Sequence, residues 1–254
     1  MGRSSAKWRN SFFKLCGISL MLPALFSTSA KAEADRVYSS TNHNTQLVEL
    51  YTSQGCSSCP PADHWLTQWK QHPKLWSEVI PVAFHVDYWD WIGWQDRFAS
   101  PAFGLRQRTH KKQGAIKSVY TPGFVVDGKE WRGWFEGRQL PPPLHKQGTL
   151  TAELNDQRIT FRYQNEEQPL TSNLQIQVVL LGFDLETPVL RGENTNRTLK
   201  EDFVVLWYTA ADDDSSWSFA LPDRSSLPTQ KLGFAAWTTL RGSGRPLQVV
   251  GGTL

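Results

Sequence analysis

The chain has 254 residues, 39% hydrophobic and 20% charged, an ordinary globular composition with room for one large domain or two small ones. Five of the 27 basic residues and none of the 24 acidic ones lie in residues 1–32, so the net charge of +3 becomes −2 for the remainder. That balance, with no Lys/Arg cluster elsewhere, argues against nucleic acid as a partner.

Arg3, Lys7, Arg9 and Lys14 precede an apolar run from Leu15 to Phe26, and Ala30-Lys31-Ala32 supplies a small-residue cleavage pattern. Residues 1–32 therefore read as a secretory signal peptide, and the protein as exported, periplasmic or extracellular. The run is shorter than the ~20 residues that span a bilayer and contains Pro23, so no membrane span is expected in the mature chain. Residues 33–45 are polar and read as a flexible leader. Cys16 leaves with the signal, and the mature chain keeps Cys56 and Cys59.

Gln46 to Thr52 is short and β-favouring, a buried strand by pattern, with Glu49 as its anomaly. A lone acid there is either an end residue facing water or a partly buried carboxylate that moves protons for the cysteines. Cys56-Ser57-Ser58-Cys59 follows, and Pro60-Pro61 marks the first turn of a helix, where the missing N–H groups have no partner to lose. Ala62, Trp65, Leu66 and Trp69 give that helix one apolar stripe. Two cysteines at this spacing close a disulfide across one turn, and the helix start favours a thiolate through its unpaired N–H groups. As a structural staple so small a loop is worth only roughly 2 kcal/mol.

Val79 to Asp87 is the next strand, which makes a βαβ unit, and Ser100-Pro101 caps a helix that Gly114 ends, its Arg106, Arg108, Lys111 and Lys112 forming a solvated face. Val119 to Val126, Asp127-Gly128 and Lys129 to Gly133 form a hairpin. After Pro141-Pro142-Pro143 seven short β-like runs follow: Leu150–Leu154, Arg158–Tyr163, Leu174–Leu181, Phe203–Thr209, Trp217–Leu221, Leu232–Thr239 and Leu247–Val250. Their spacing suggests an antiparallel sandwich.

The stretch Leu50 to Asp63, with His85-Val86-Asp87-Tyr88-Trp89-Asp90, Phe98 to Phe103 and Val119-Tyr120-Thr121-Pro122, resembles the DUF1223 family of exported thioredoxin-like proteins. Gly192-Glu193-Asn194 and Arg197-Thr198-Leu199 extend the resemblance without suggesting any chemistry. The resemblance implies an α/β thioredoxin-like domain over 46–147, a mixed sheet with flanking helices, followed by an all-β, sandwich-like domain over 148–254. It implies that Cys56 is the exposed attacking sulfur and Cys59 the resolving one, and that Thr121 and a cis Pro122 hold an extended substrate. The Ser-Ser dipeptide between the cysteines departs from the Gly-Pro of thioredoxins, so the direction of electron flow stays open.

Three functions remain in play. The first is thiol–disulfide exchange with protein or peptide thiols and disulfides, the pair itself being the redox centre. The second is copper or zinc binding by Cys56, Cys59, His64 and His85. The third is a non-catalytic peptide-binding or chaperone module, suited by the eight tryptophans between Trp65 and Trp134.

Overall fold

The computed structural model describes residues 1–2, 36–40, 45–155, 157–166, 173–213 and 215–254. Residues 1–32 form a unit separate from Glu33–Leu254. The segment expected to be a signal peptide, Cys16 included, lies outside the described residues but for Met1 and Gly2, and the architecture below is that of the second unit.

Among the described residues there are fourteen strands and two α-helices. In the first half these are β1 (Arg36–Ser39), β2 (Gln46–Thr52), α1 (Pro60–Thr67), β3 (Val79–His85), α2 (Pro101–Lys112), β4 (Gly123–Val126) and β5 (Lys129–Trp131). In the second half they are β6 (Thr149–Asn155), β7 (Arg158–Gln164), β8 (Leu174–Gly182), β9 (Leu185–Pro188), β10 (Thr198–Glu201), β11 (Val204–Asp213), β12 (Ser216–Ala220), β13 (Leu232–Leu240) and β14 (Pro246–Thr253). The local signals form as read. Pro60 and Pro61 open α1, and Ser100 Oγ caps α2 by accepting from Ala102 N at 3.3 Å. Asp127 and Gly128 take positive φ (48° and 77°) in the β4–β5 turn. Arg36–Ser39, expected as flexible leader, instead adds to β6 as an edge strand.

The assembly differs from the expected fold class. The chain is mostly β, 44% strand against 18% helix in three sheets, and not a thioredoxin-like α/β domain with flanking helices followed by a sandwich. The largest sheet has eight strands in the order β14-β13-β8-β11-β3-β2-β4-β5, so strands from both halves share it. The physical reason lies in β8 and β13. Both are buried along nearly their whole length, which requires cover on both faces, and no pair of short helices supplies that.

Successive residues of β8 and β13 serve opposite layers. Leu174, Ile176, Val178, Phe234 and Ala236 face a second, four-stranded sheet (β1-β6-β7-β12), packing on Leu150, Ile159, Phe161 and Trp217. Val179, Leu181, Ala235 and Trp237 join the opposite core, with Leu47, Leu50, Ile80 and Phe84 of β2 and β3 and Leu66 of α1. The third sheet is a two-stranded ribbon, β9 with β10, paired antiparallel from Thr198↔Pro188 to Glu201↔Leu185. No helix among the described residues is long and apolar enough to cross a membrane.

Candidate functional site

Strand β2 ends at Thr52 and the chain turns back through Ser53–Gly55, with Cys56 N donating to Ser53 O at 3.1 Å. Cys59 N then donates to Cys56 O at 3.2 Å, and the Cys59 carbonyl receives Ala62 N (2.8 Å) and Asp63 N (3.1 Å), so the second cysteine opens α1. The two cysteines are disulfide-bonded, with Cα atoms 5.4 Å apart, inside the usual bridging range. Cys56 Sγ lies 3.3 Å from Ser58 Oγ.

Neither sulfur is open to solvent. Cys56 is 1% exposed and Cys59 0%, whereas the sequence led us to expect a solvent-facing Cys56. Two elements close over the loop. Trp89 packs against Gly55, its Cβ standing 3.2 Å from where a Gly55 Cβ would be, and its indole Nε1 donates to Thr121 Oγ1 at 2.7 Å. The Thr121-Pro122 bond is cis. We expect Thr121→Val, which leaves the Trp89 N–H unpaired, to cost about 1 kcal/mol in urea unfolding.

The second cover is the loop that closes the β9–β10 ribbon. Asn194, fully buried, donates through Nδ2 to Gln54 O (2.9 Å) and Cys56 O (3.0 Å), and Glu193 Oε2 accepts from Ser57 N at 2.9 Å. Arg197 Nη1 holds the Asn194 Oδ1 at 3.1 Å. The ribbon strands add Thr187 Oγ1 and Glu201 Oε2, which accept from Gln54 Nε2 at 3.0 and 2.8 Å. Trp94 Nε1 donates to Gln54 Oε1 at 3.1 Å and Gln54 N donates to Asp96 Oδ2 at 2.8 Å. Every polar group of Gln54 is thereby engaged.

Beneath the loop is a buried cluster of ionisable groups. His85 Nδ1 and Asp96 Oδ2 are 2.7 Å apart, with side chains 1% and 0% exposed. Burial pushes the His85 imidazole down, but the Asp96 carboxylate, with Glu201 and Asp63 beyond it, outweighs this and carries it up to about 9. Asp96 would rise on burial, yet the His85 charge and the Gln54 and Phe98 N–H groups hold it below the usual carboxylate range. Withdrawal from water raises Asp63 to about 7, only partly offset by His85 and by the hydrogen bond it accepts from Thr52 Oγ1 at 3.1 Å. Burial also raises Glu201.

The remaining expected site residues sit elsewhere. Glu49 is fully buried, and its partners are Arg106, Tyr51 and His110, none of them in the cysteine loop. Burial would raise its carboxyl, but Arg106 and His110 drive it well below the ordinary carboxylate range, so it holds no proton near neutrality. Asp63, raised to about 7, is the carboxyl that can exchange a proton near neutrality. His64 is exposed on α1 while His85 is committed to Asp96, so the four residues expected for copper or zinc do not converge. Among the described residues no group of three or more His, Cys, Asp and Glu has a metal-holding arrangement. Of the tryptophans, Trp65 packs on Phe124 and Trp131, while Trp91 is 82% exposed. Sequence reasoning missed Asp96, Thr187 and Glu201 altogether, since a buried acid and a strand threonine carry no mark of the distant glutamine they meet.

Fold and site together describe a β-rich protein with a covered disulfide at the start of a short helix. The family described as "Protein of unknown function (DUF1223)" matches residues 47–239, and the chain belongs to it. A crystal structure of a protein from Agrobacterium tumefaciens is similar over 84% of this chain and 96% of its own, at 21% identity and a TM-score of 0.57. HBP35 of Porphyromonas gingivalis is similar over 85% of this chain and 76% of its own, at 11% identity and a TM-score of 0.53. At these identities the likeness extends to the fold alone. No curated protein matches the chain.

Proposed function

We propose that this protein exchanges thiols and disulfides with a protein or peptide partner outside the cytoplasm, through Cys56 and Cys59. The observation that carries this is the placement of the bonded pair at the start of α1, with Cys59 as its N-cap, where closing so short a loop adds little to stability. In the dithiol form, Cys56 ahead of the helix start is favoured as the thiolate. It attacks one sulfur of a partner disulfide, forming a Cys56–partner bond and releasing the other partner sulfur as thiolate. Cys59 thiolate then attacks the Cys56 sulfur, re-forming the pair and releasing the second partner thiolate, so two electrons pass to the partner. Asp63, whose amide bonds the Cys59 carbonyl and whose carboxyl titrates at about 7, is the nearby group suited to hold the proton Cys59 gives up.

The test is a redox titration of the pair in the full chain, read by alkylation and mass shift. We expect equilibration with the glutathione couple at a potential above about −300 mV, and loss of insulin reduction in Cys56→Ser. A pair that stays oxidised below about −300 mV, with no turnover in the native protein, makes it a structural staple instead.

A further inference from the structure

The loop Val189–Arg197 makes its contacts with the cysteine loop through polar side chains. It starts from the buried Val189, and the far end of the ribbon is anchored where Leu185 of β9 packs with Phe98 and Val204. Its tip is held to the cysteine loop by the hydrogen bonds of Glu193 and Asn194. Those bonds have a particular form. Gln54 O and Cys56 O, two carbonyls at i and i+2 of the turn that carries the cysteines, converge on the one nitrogen Asn194 Nδ2. Ser57 N adds a donor beside them. A side-chain amide donates to both carbonyls, and a carboxylate oxygen accepts from the N–H. Asparagine's amide is the chemical twin of a peptide group, so the loop makes the hydrogen bonds that one peptide unit of a partner would make in its place.

We propose that Glu193 and Asn194 form a removable cover that imitates a bound peptide unit, and that beneath it lies a backbone-recognition site for a cysteine-bearing segment of the partner. The carbonyls of Gln54 and Cys56 share a partner N–H, Ser57 N takes a partner carbonyl, and these contacts bring the partner sulfur alongside Cys56. This rests on the exchange reading above. It accounts for a pair that is almost wholly buried and yet is closed on the ribbon side by side-chain hydrogen bonds. The geometry of the tip is compatible with a lifted form: Gly192 (φ 78°) and Asn196 (φ 65°) already take left-handed turns there, and Leu190 is 73% exposed, unanchored to any core.

The test uses the reduced full chain carrying Cys59→Ala, alone and combined with Asn194→Asp or Glu193→Gln. The probes are a short peptide whose single cysteine is the mixed disulfide of nitrothiobenzoate, and the same mixed disulfide of mercaptoethanol. Cys56 thiolate attacks the probe's cysteine or mercaptoethanol sulfur, the Cys56–probe bond forms, and nitrothiobenzoate leaves with the electron pair and is counted by absorbance. Asn194→Asp sets an acceptor against two carbonyls and should raise the peptide rate about tenfold. Glu193→Gln, at an exposed side chain, should raise it several-fold and keeps the question answerable if the buried substitution prevents folding. In each folded variant the peptide should gain more than the mercaptoethanol probe. Unchanged rates in the folded variants would overturn the cover, and an equal gain for both probes would overturn the backbone site, the exchange reading surviving in either case. If no variant releases nitrothiobenzoate although iodoacetamide labels Cys56, the exchange reading itself falls and the cover with it.

Discussion

Replacing Arg106 with leucine should lower the unfolding free energy by about 3–5 kcal/mol, the largest single-residue loss expected in this chain. Glu49 is 0% exposed, and Arg106 meets it with both faces of its fork, Nε to Oε2 at 2.7 Å and Nη2 to Oε1 at 2.9 Å. Tyr51 OH adds a third bond to Oε2 at 2.8 Å. The guanidinium is held in turn by Gln177 Oε1 at 2.6 Å and lies 4.9 Å from the Trp237 ring and 5.4 Å from that of Phe84. Removing the cation strands a carboxylate in the core, with Tyr51 and His110 as its remaining partners. The double variant Glu49→Leu/Arg106→Leu should recover much of the loss, because the two charges together cost about as much to bury as they return. Urea midpoints of the two variants and the parent check this. Equal destabilisation in the single and double variants would mean that the packing of the arginine stem, not the unpaired charge, is what matters.

The second large effect is an alkaline loss of stability. His85 is raised from 6.5 in the unfolded chain to about 9 in the folded one, so its contribution is complete below pH 6.5 and lost as pH rises through 9. That displacement corresponds to about 3 kcal/mol. Asp63, raised from 3.8 to about 7, acts in the same direction at lower pH, favouring the fold below 3.8 and losing that contribution by 7. Asp96 has the opposite sign, since its lowered carboxyl adds stability above 3.8 that disappears in acid. Denaturant midpoints taken every half unit from pH 6 to 10 should therefore fall steadily. In Asp96→Asn the fall should flatten, because His85 no longer binds its extra proton in the folded state. A parent protein with a flat profile over this range would show that the imidazole is neutral in the fold.

Local structure was legible because local chemistry sets it. The prolines at 60 and 61, Ser100 before Pro101, the Asp127-Gly128 turn and the alternation along Leu150–Leu154 and Arg158–Tyr163 each specify an element without outside help. Assembly was not legible, because a strand's sequence does not name its neighbour. The apolar run of β8 fits one sheet of a sandwich as well as the interior of a large mixed sheet, and only the pairing of β11 with both β8 and β3 decides between them. Arg106 was hidden by its neighbours: Arg108, Lys111 and Lys112 suggested a wet surface, although Phe103, Gln107 and His110 on the same helix lie on its buried side. The cysteine pair and the cis bond before Pro122 were found where expected, but not the closure above them. Glu193 and Asn194 are ordinary loop residues by type, and their contact with Gln54, Cys56 and Ser57 spans more than half of the chain.

The seam between β3 and β11 has a bearing on how the chain comes together. Val204 lies beside Ala83 in parallel register, and Ala83 N bonds to Phe203 O at 2.9 Å. An emerging polypeptide would thus display β3 with one side vacant until more than a hundred further residues had arrived to occupy it. Such a bare flank is a template for adventitious strand addition. Successful maturation depends on the late-made portion finding its slot before another chain does.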